Sequence, residues 1–139
     1  MRERWNWAPG RNPDDGTMTK RRQSRRQALQ RGRRAEGAAA LWLNCKGYRI
    51  VARRFSCRTG EIDLIARRGS VLAFVEVKYR ATTADAAQAI TPAKRARIVS
   101  ATRAWLAAHP RDENLSCRFD AVLMRPWRIP VHIEDAWRV

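Results

Sequence analysis

The stretch GEIDLIARRGSVLAFVEVKY, residues 60–79, decides the fold, because it contains two apolar strands joined by a short turn. Glu61–Arg67 and Val71–Tyr79 have the length of strands and are rich in the β-branched and apolar residues that strands favour. Val71–Val75 carries no polar residue, which is typical of a strand buried on both faces. The stretch therefore predicts a hairpin at the centre of a sheet.

The turn of this hairpin sets the register of the two strands. Gly69 and the serine after it predict a two-residue loop with glycine at its first central position, as in a type II′ turn. That loop pairs Arg68 with Val71 and, further along, brings Asp63 opposite Glu76. We therefore expect two carboxylates to meet across the hairpin.

A helix is predicted before the hairpin. Ser24 and Gln27 fit a capping box, and Gly47 is a typical residue just past the end of a helix. Glu36 then falls in the middle of the inward face, although pairing with a neighbouring arginine is an equally ordinary explanation of its position. The predicted stripe consists of Leu29, Gly32, Glu36, Ala40 and Leu43.

The remaining elements are predicted from local signals of the same kind. Tyr48–Phe55 precedes the hairpin and completes an antiparallel meander. After a linker, Thr91 and Pro92 predict the N-cap and first turn of a second helix that ends before Pro110. Its buried stripe is Ile98, Val99, Thr102, Trp105 and Leu106. The last predicted strands, Cys117–Met124 and Ile129–Ile133, complete an α/β order of α-β-β-β-α-β-β.

The charge of the chain predicts a polyanionic partner. Its 139 residues contain 29 Lys and Arg against 13 Asp and Glu, a net charge of +16. Half of this charge lies in residues 1–34. We expect residues 1–23 to be a disordered basic tail and residues 24–139 to be one domain. The tail has two explanations, a nucleic-acid tether or an extension upstream of a start at Met18.

Several classes of protein are excluded by composition. The longest uncharged stretch has nine residues, too few for a membrane span, and no signal-peptide pattern opens the chain, so we expect a cytoplasmic protein without a membrane partner. Three widely spaced cysteines without a C-x-x-C pair predict neither a disulfide framework nor a zinc site.

An acidic cluster in this basic chain indicates metal chemistry. Residues two apart on a strand share a face, so Glu76 lies beside Lys78, as Glu61 lies beside Asp63. Two adjacent buried carboxylates are costly unless they are protonated, paired or bound to a cation. Mg²⁺ is commonly held by one or two carboxylates with waters. A solvated ladder of charges on a half-exposed sheet is the alternative.

These residues resemble a known family. The motifs are Glu36, Gly60–Ala66, Phe74–Arg80, Lys94 and Arg118–Asp120. Together they resemble the YraN-like bacterial family, which is similar to archaeal Holliday-junction resolvases and carries the PD-(D/E)xK nuclease signature. Isoleucine stands where the signature has proline, at position 62. The resemblance covers about Ser24 to Val139 and implies a restriction-endonuclease-like α-β-β-β-α-β core, with a mixed central sheet flanked by helices.

The resemblance implies a structure-selective DNA endonuclease that uses Mg²⁺ or Mn²⁺. It assigns metal binding to Asp63, Glu76, the carbonyl of Val77 and Glu36, with Lys78 assisting the attacking water. Branched DNA is the implied substrate and a homodimer is the implied assembly. Two alternatives stay open: a non-catalytic nucleic-acid-binding module that retains the nuclease fold, and a basic adaptor for an acidic protein.

Further residues are candidates for contact with nucleic acid. Lys94, at the start of the second helix, is a candidate for contact with a phosphate, with a solvated lysine as the alternative. Arg80, which follows Lys78 by two residues, is a candidate for contact with the DNA backbone, with a pair to Glu61 as the alternative. Gln88 lies in a predicted loop beside the site. Asp120 is expected to pair with Arg118 or another arginine. We expect Trp105, Trp127 and Trp137 to lie in the core or in a dimer interface, with base stacking as the alternative.

Overall fold

The computed structural model describes residues 15–79 and 90–139, with side chains from residue 17 onward. Residues 1–31 and 32–139 form two units, and the first helix begins in one and ends in the other. The described elements are α1 (Asp15–Cys45), β1 (Arg49–Cys57), β2 (Gly60–Arg68), β3 (Val71–Tyr79), α2 (Pro92–Ala108), a single 3-10 turn (Pro110–Asp112), β4 (Ser116–Met124) and β5 (Val131–Ile133).

The five strands form one mixed sheet in the order β1-β2-β3-β4-β5. The first three strands are an antiparallel meander, as predicted, β4 runs parallel to β3, and β5 is antiparallel to β4. Arg68 pairs with Val71 across the predicted turn, and Gly69 has a φ of 59° there. The α/β class and the predicted order of elements are therefore confirmed.

Side chains of β3 alternate between two hydrophobic clusters, one on each face of the sheet. Leu72 and Phe74 join the cluster that includes Trp105 of α2. Ala73 and Val75 join the cluster of Ala39, Ala40 and Leu43 of α1. Because both faces of β3 are covered between Leu72 and Glu76, the carboxylate of Glu76 lies in the interior of the unit.

Helix α1 differs from the prediction at its beginning and agrees with it at its end. It begins at Asp15, not at Ser24. The sequence did not predict these first turns, because they are charged and have no apolar period. Leu29 is exposed and does not belong to the buried stripe. The end at Gly47 is confirmed: its φ is 87°, and the backbone N–H groups of Gly47 and Tyr48 donate to the carbonyls of Asn44 and Leu43, which closes a Schellman motif.

Helix α2 begins and ends where the sequence predicts. The side chain of Thr91 accepts a hydrogen bond from the backbone N–H of Lys94, which caps the first turn. At Gly60 the helix approaches β2 so closely that an added Cβ would overlap the backbone carbonyl of Arg97. This contact between backbones fixes the distance between the start of α2 and the hairpin.

The tryptophans do not share one environment. Trp105 and Trp137 are buried, as expected of core residues, whereas Trp127 is fully exposed, so it is not a core residue and its place in a dimer interface stays a prediction. Trp127 follows the end of β4 in a loop, where it contributes to neither cluster. Within the described ranges, no helix combines the length and the apolar content that crossing a membrane requires.

Candidate metal and nucleic-acid site

Asp63 and Glu76 meet where β2 and β3 begin to separate. The last ladder pair is Leu64 with Val75, so the predicted pair of carboxylates lies one position beyond the regular ladder. Asp63 Oδ2 accepts a hydrogen bond of 2.8 Å from the backbone N–H of Val77. The side chain of Asp63 thus accepts the hydrogen bond that a backbone carbonyl of the neighbouring strand would accept in a regular sheet.

Glu76 is the most deeply buried charged residue of this site, with 2% of its surface exposed. Its Oε1 lies 2.9 Å from Nζ of Lys78 and 3.6 Å from Nζ of Lys94. Its Oε2 is also buried but accepts no hydrogen bond from any described residue. One oxygen of the carboxylate is therefore compensated by two ammonium groups, whereas the other lacks a donor or cation.

Helix α2 contributes Lys94 to this cluster from outside the hairpin. Its Nζ donates to Oε1 of Glu61 at 3.1 Å and also approaches Glu76. Lys94 therefore links the two acidic positions of adjacent strands. The position requires the close approach of the helix at Gly60, because Lys94 lies one turn before Arg97.

Electrostatic effects at the site are large. Burial and the neighbouring charge of Glu76 raise the pKa of Asp63 to about 7. Burial alone would lower the pKa of Lys94, but the charge of Glu76 and the hydrogen bond to Glu61 raise it overall. The hydrogen bond from Lys94 lowers the pKa of Glu61. The lysine is thus held charged, while Asp63 is held near half-ionisation at neutral pH.

The donor set fits a hard divalent cation. Among the residues that the structure describes, no three His, Cys, Asp or Glu side chains cluster as a closed metal site, so a zinc-type cage is absent there. Two carboxylates, one of them with an uncompensated buried oxygen, match the open coordination of Mg²⁺, which retains several waters. The high pKa of Asp63 is the expected state of such a ligand without its cation.

The other predicted ligands are placed differently. Glu36 accepts a hydrogen bond from Nε of Arg54 in β1, the pairing that the sequence left open as its alternative. Val77 lies between the two charged residues of β3, and a role for its carbonyl stays a prediction. Arg80 and Gln88 lie outside the described residues. Lys78 and Lys94 are both beside Glu76.

A second polar cluster lies on the opposite face of the sheet, and the sequence indicated only part of it. Asp120 is fully buried and accepts two hydrogen bonds from Arg118, the predicted partner. Nε2 of His132 lies 2.8 Å from Asp120, and Nζ of Lys46 lies 2.7 Å from Nδ1. Because an ammonium only donates, Nδ1 accepts and the imidazole donates from Nε2. Lys46 and His132 are 86 positions apart, so no local signal joins them.

Comparison with known proteins identifies the family. The family model described as "Uncharacterised protein family UPF0102" matches residues 35–124. The chain belongs to the UPF0102 family. Glu36, Asp63, Glu76, Lys94 and Asp120 all lie inside the matched range, whereas Trp127 lies beyond it. The sequence resemblance to this family, under its YraN-like name, is thereby confirmed.

Similar UPF0102 proteins occur in other bacteria. One from Paramagnetospirillum magneticum is 51% identical over 116 residues, which cover 81% of this chain and 90% of the relative. One from Rhodopseudomonas palustris strain BisB18 is 54% identical over 110 residues, which cover 79% and 82%. One from Methylocella silvestris is 53% identical over 112 residues, which cover 81% and 90%. The UPF0102 relationship therefore extends over most of both chains in each comparison.

Proposed function

We propose that this protein is a divalent-metal-dependent endonuclease that acts on branched DNA. The observation that carries the proposal is the pair of half-buried Asp63 and buried Glu76, in which one oxygen of Glu76 has no donor among the described residues and two lysines lie beside the other. The +16 charge of the chain supports a polyanionic substrate. The resemblance to resolvases supports DNA with a junction or fork.

The chain's own residues have separate roles in this proposal. Asp63 and Glu76 would hold Mg²⁺ or Mn²⁺, together with the carbonyl of Val77, and such a cation would lower the pKa of a water and neutralise phosphate oxygens. Lys78 orients that water or neutralises charge on the phosphate. Lys94 leaves a carboxylate and pairs with a phosphate oxygen when DNA binds, since its ammonium already lies beside Glu61 and Glu76.

Glu36 and the residues outside the described ranges have weaker support. Glu36 would join the cation only if it left Arg54, its present partner. Arg80 and Gln88 are proposed to hold the DNA backbone near the site. A homodimer would present two such sites to the two equivalent strands of a four-way junction. Sedimentation with and without a junction measures this assembly.

Cleavage assays test the proposal directly. Four-way junctions, flaps, forks and blunt duplexes of equal length are incubated with the protein in Mg²⁺ or Mn²⁺. We expect cleavage of at least one branched substrate, no cleavage in EDTA, and a loss of at least about 100-fold in Asp63→Asn and Glu76→Gln. The matched control is Glu113→Gln, which removes an exposed carboxylate outside the site and leaves activity unchanged.

Two outcomes contradict the proposal in different ways. Full activity in both Asp63→Asn and Glu76→Gln would reject the assignment of the site. If the wild-type protein binds branched DNA but cuts none of the substrates with either metal, the non-catalytic binding module is correct. In that case Asp63→Asn would bind DNA more tightly than the wild type, because it removes a negative charge near phosphates.

A further inference from the structure

The loop after β4 lies at the same end of the sheet as the acidic site. Strands β3 and β4 are parallel, and their register pairs Lys78 with Leu123 and Tyr79 with Met124. The chain that leaves Met124 therefore emerges beside the end of β3, where Glu76 and Lys78 lie. Its sequence, residues 125–130, is RPWRIP, in which two prolines restrict the backbone.

Trp127 is presented to solvent by this loop. Its relative exposure is 103%, and its φ of 56° lies in the left-handed region, which bulky residues rarely occupy. A rigid aromatic ring in such a conformation is not explained by packing, since Trp127 joins neither hydrophobic cluster. The backbone N–H of Arg128 donates to the carbonyl of Arg125 across a turn in which Pro126 is the second and Trp127 the third residue, a position that takes a positive φ, so the turn itself holds the indole in solvent. The exposed face of an indole is a platform for another planar ring.

A cationic side chain with one unused donor lies two residues before this ring. Nε of Arg125 is buried and donates to no acceptor in the described part of the chain. A guanidinium is the side chain best suited to a phosphate, because its donors match the phosphate oxygens in pairs. Arg128, the residue after Trp127, adds a second positive charge. The loop thus combines a stacking surface with two cations.

We propose that the loop of residues 125–128 binds one unpaired nucleotide of the nucleic acid, with its base stacked on Trp127 and its phosphate on Arg125. A base within a duplex is covered on both faces by its neighbours, so only an unpaired base can use the indole. This inference deepens the proposed function and rests on it for the position of the nucleotide beside the acidic pair. It defines the substrate class as nucleic acid with a single-stranded segment next to the phosphate that is cut.

Binding measured in EDTA tests this inference without any cleavage step. The probes are a labelled fork with two single-stranded arms and a blunt duplex of the same length. We expect Trp127→Ala to weaken binding of the fork roughly 5- to 150-fold, the factor that corresponds to one stacked base, and to change duplex binding less than about twofold. Trp127→Phe retains most of the affinity, because it retains an aromatic face.

The matched control is Ile129→Ala, which removes a second exposed apolar side chain, 69% exposed, that has no π-face. Arg125→Gln is expected to weaken binding of the fork as well, and Arg125→Lys is expected to restore this binding only in part. Thermal unfolding of each variant confirms that the fold is intact.

Four results overturn the inference. The first three are unchanged fork binding in Trp127→Ala, an equal loss for fork and duplex, and an equal effect of Ile129→Ala, which would indicate a general apolar contact with another kind of partner. Absence of any nucleic-acid binding by the wild type also overturns it. Selective binding of the fork without cleavage under Mg²⁺ would instead support the inference and reject only the nuclease proposal, so the two failures are distinguishable.

Discussion

At the scale of residues, the proposed metal site depends on two carboxyl groups, those of Asp63 and Glu76. Glu76 has one oxygen compensated by lysines and one without a partner among the described residues, and Asp63 is pushed towards its protonated form. Asp120 on the opposite face is the contrasting case. Burial alone would raise its pKa, but hydrogen bonds from His132 and Arg118 outweigh this effect and lower it. The pair Asp63 and Glu76 is suited to bind a cation, whereas both carboxylate oxygens of Asp120 already accept hydrogen bonds.

Replacement of Asp63 is expected to stabilise the protein in the absence of metal. The pKa of Asp63 rises from 3.8 to about 7 on folding, so the folded protein retains a proton that the unfolded chain loses, and stability falls as pH rises through this interval. In Asp63→Asn the amide can donate to Glu76. We expect the free energy of unfolding in EDTA at pH 8 to rise by roughly 1–3 kcal/mol.

The pH dependence separates this explanation from others. Between pH 8 and pH 4 the advantage of Asp63→Asn in chemical denaturation should disappear, because the wild-type carboxyl group becomes protonated. Glu61→Gln is the control, since this carboxylate is largely exposed and paired with Lys94. An Asp63→Asn variant that is less stable than the wild type at pH 8 would show that the ionised carboxylate of Asp63 does not destabilise the folded protein.

Replacement of Asp120 is expected to have the opposite effect. Asp120→Ala leaves Arg118, His132 and the backbone N–H of Asp135 without their acceptor inside the protein. We expect a loss of about 3–5 kcal/mol in urea denaturation, as for other broken buried ion pairs. Arg138→Ala removes only an exposed pair with Asp135 and should cost less than about 1 kcal/mol. Similar losses in both variants would contradict this assignment.

At the scale of elements, short stretches of sequence were sufficient to predict turns and helix caps. Contacts between residues that are distant in the sequence could not be predicted in this way. The turn at Gly69 and the cap at Thr91 were predicted because each depends on the conformation of a few adjacent residues. The register of the hairpin followed from its turn. The contact of Lys94 with Glu61 was missed, because it depends on how closely α2 packs on β2. The exposed Trp127 was missed because apolar character alone predicts burial.

Gly60 is expected to control the position of α2. In Gly60→Ala the new methyl group meets the backbone of Arg97, so the helix must move away from β2 and carry Lys94 with it. We expect a loss of about 1–3 kcal/mol in stability and a loss of most cleavage activity. Thermal unfolding and the cleavage assay measure these effects.

Gly37→Ala is the matched control for Gly60→Ala. Gly37 lies in α1 and has no heavy atom within 4 Å of the added Cβ, so alanine should raise stability by about 0.5–1 kcal/mol. If Gly60→Ala behaved like Gly37→Ala, the close approach of α2 would not be essential.

At the scale of the whole molecule, the proposed function gives positive charge and a small acidic site complementary roles. In that proposal, the exposed arginines of α1 attract nucleic acid regardless of its structure. We expect the double variant Arg25→Gln, Arg26→Gln to weaken fork and duplex binding alike and to reduce the salt slope of log K by about 2. Trp127→Ala should leave that slope unchanged. A selective loss of fork binding in the arginine variant would contradict this division of roles.

The central claim is that Asp63 and Glu76 hold a divalent cation. Its most direct test is anomalous scattering from a crystal of the protein soaked in Mn²⁺. We predict a peak between the two carboxyl groups, at about 2.0–2.3 Å from an oxygen of each, and its loss in Glu76→Gln crystals. A well-ordered site with Lys78 and Lys94 still on Glu76 and no anomalous peak would contradict the account.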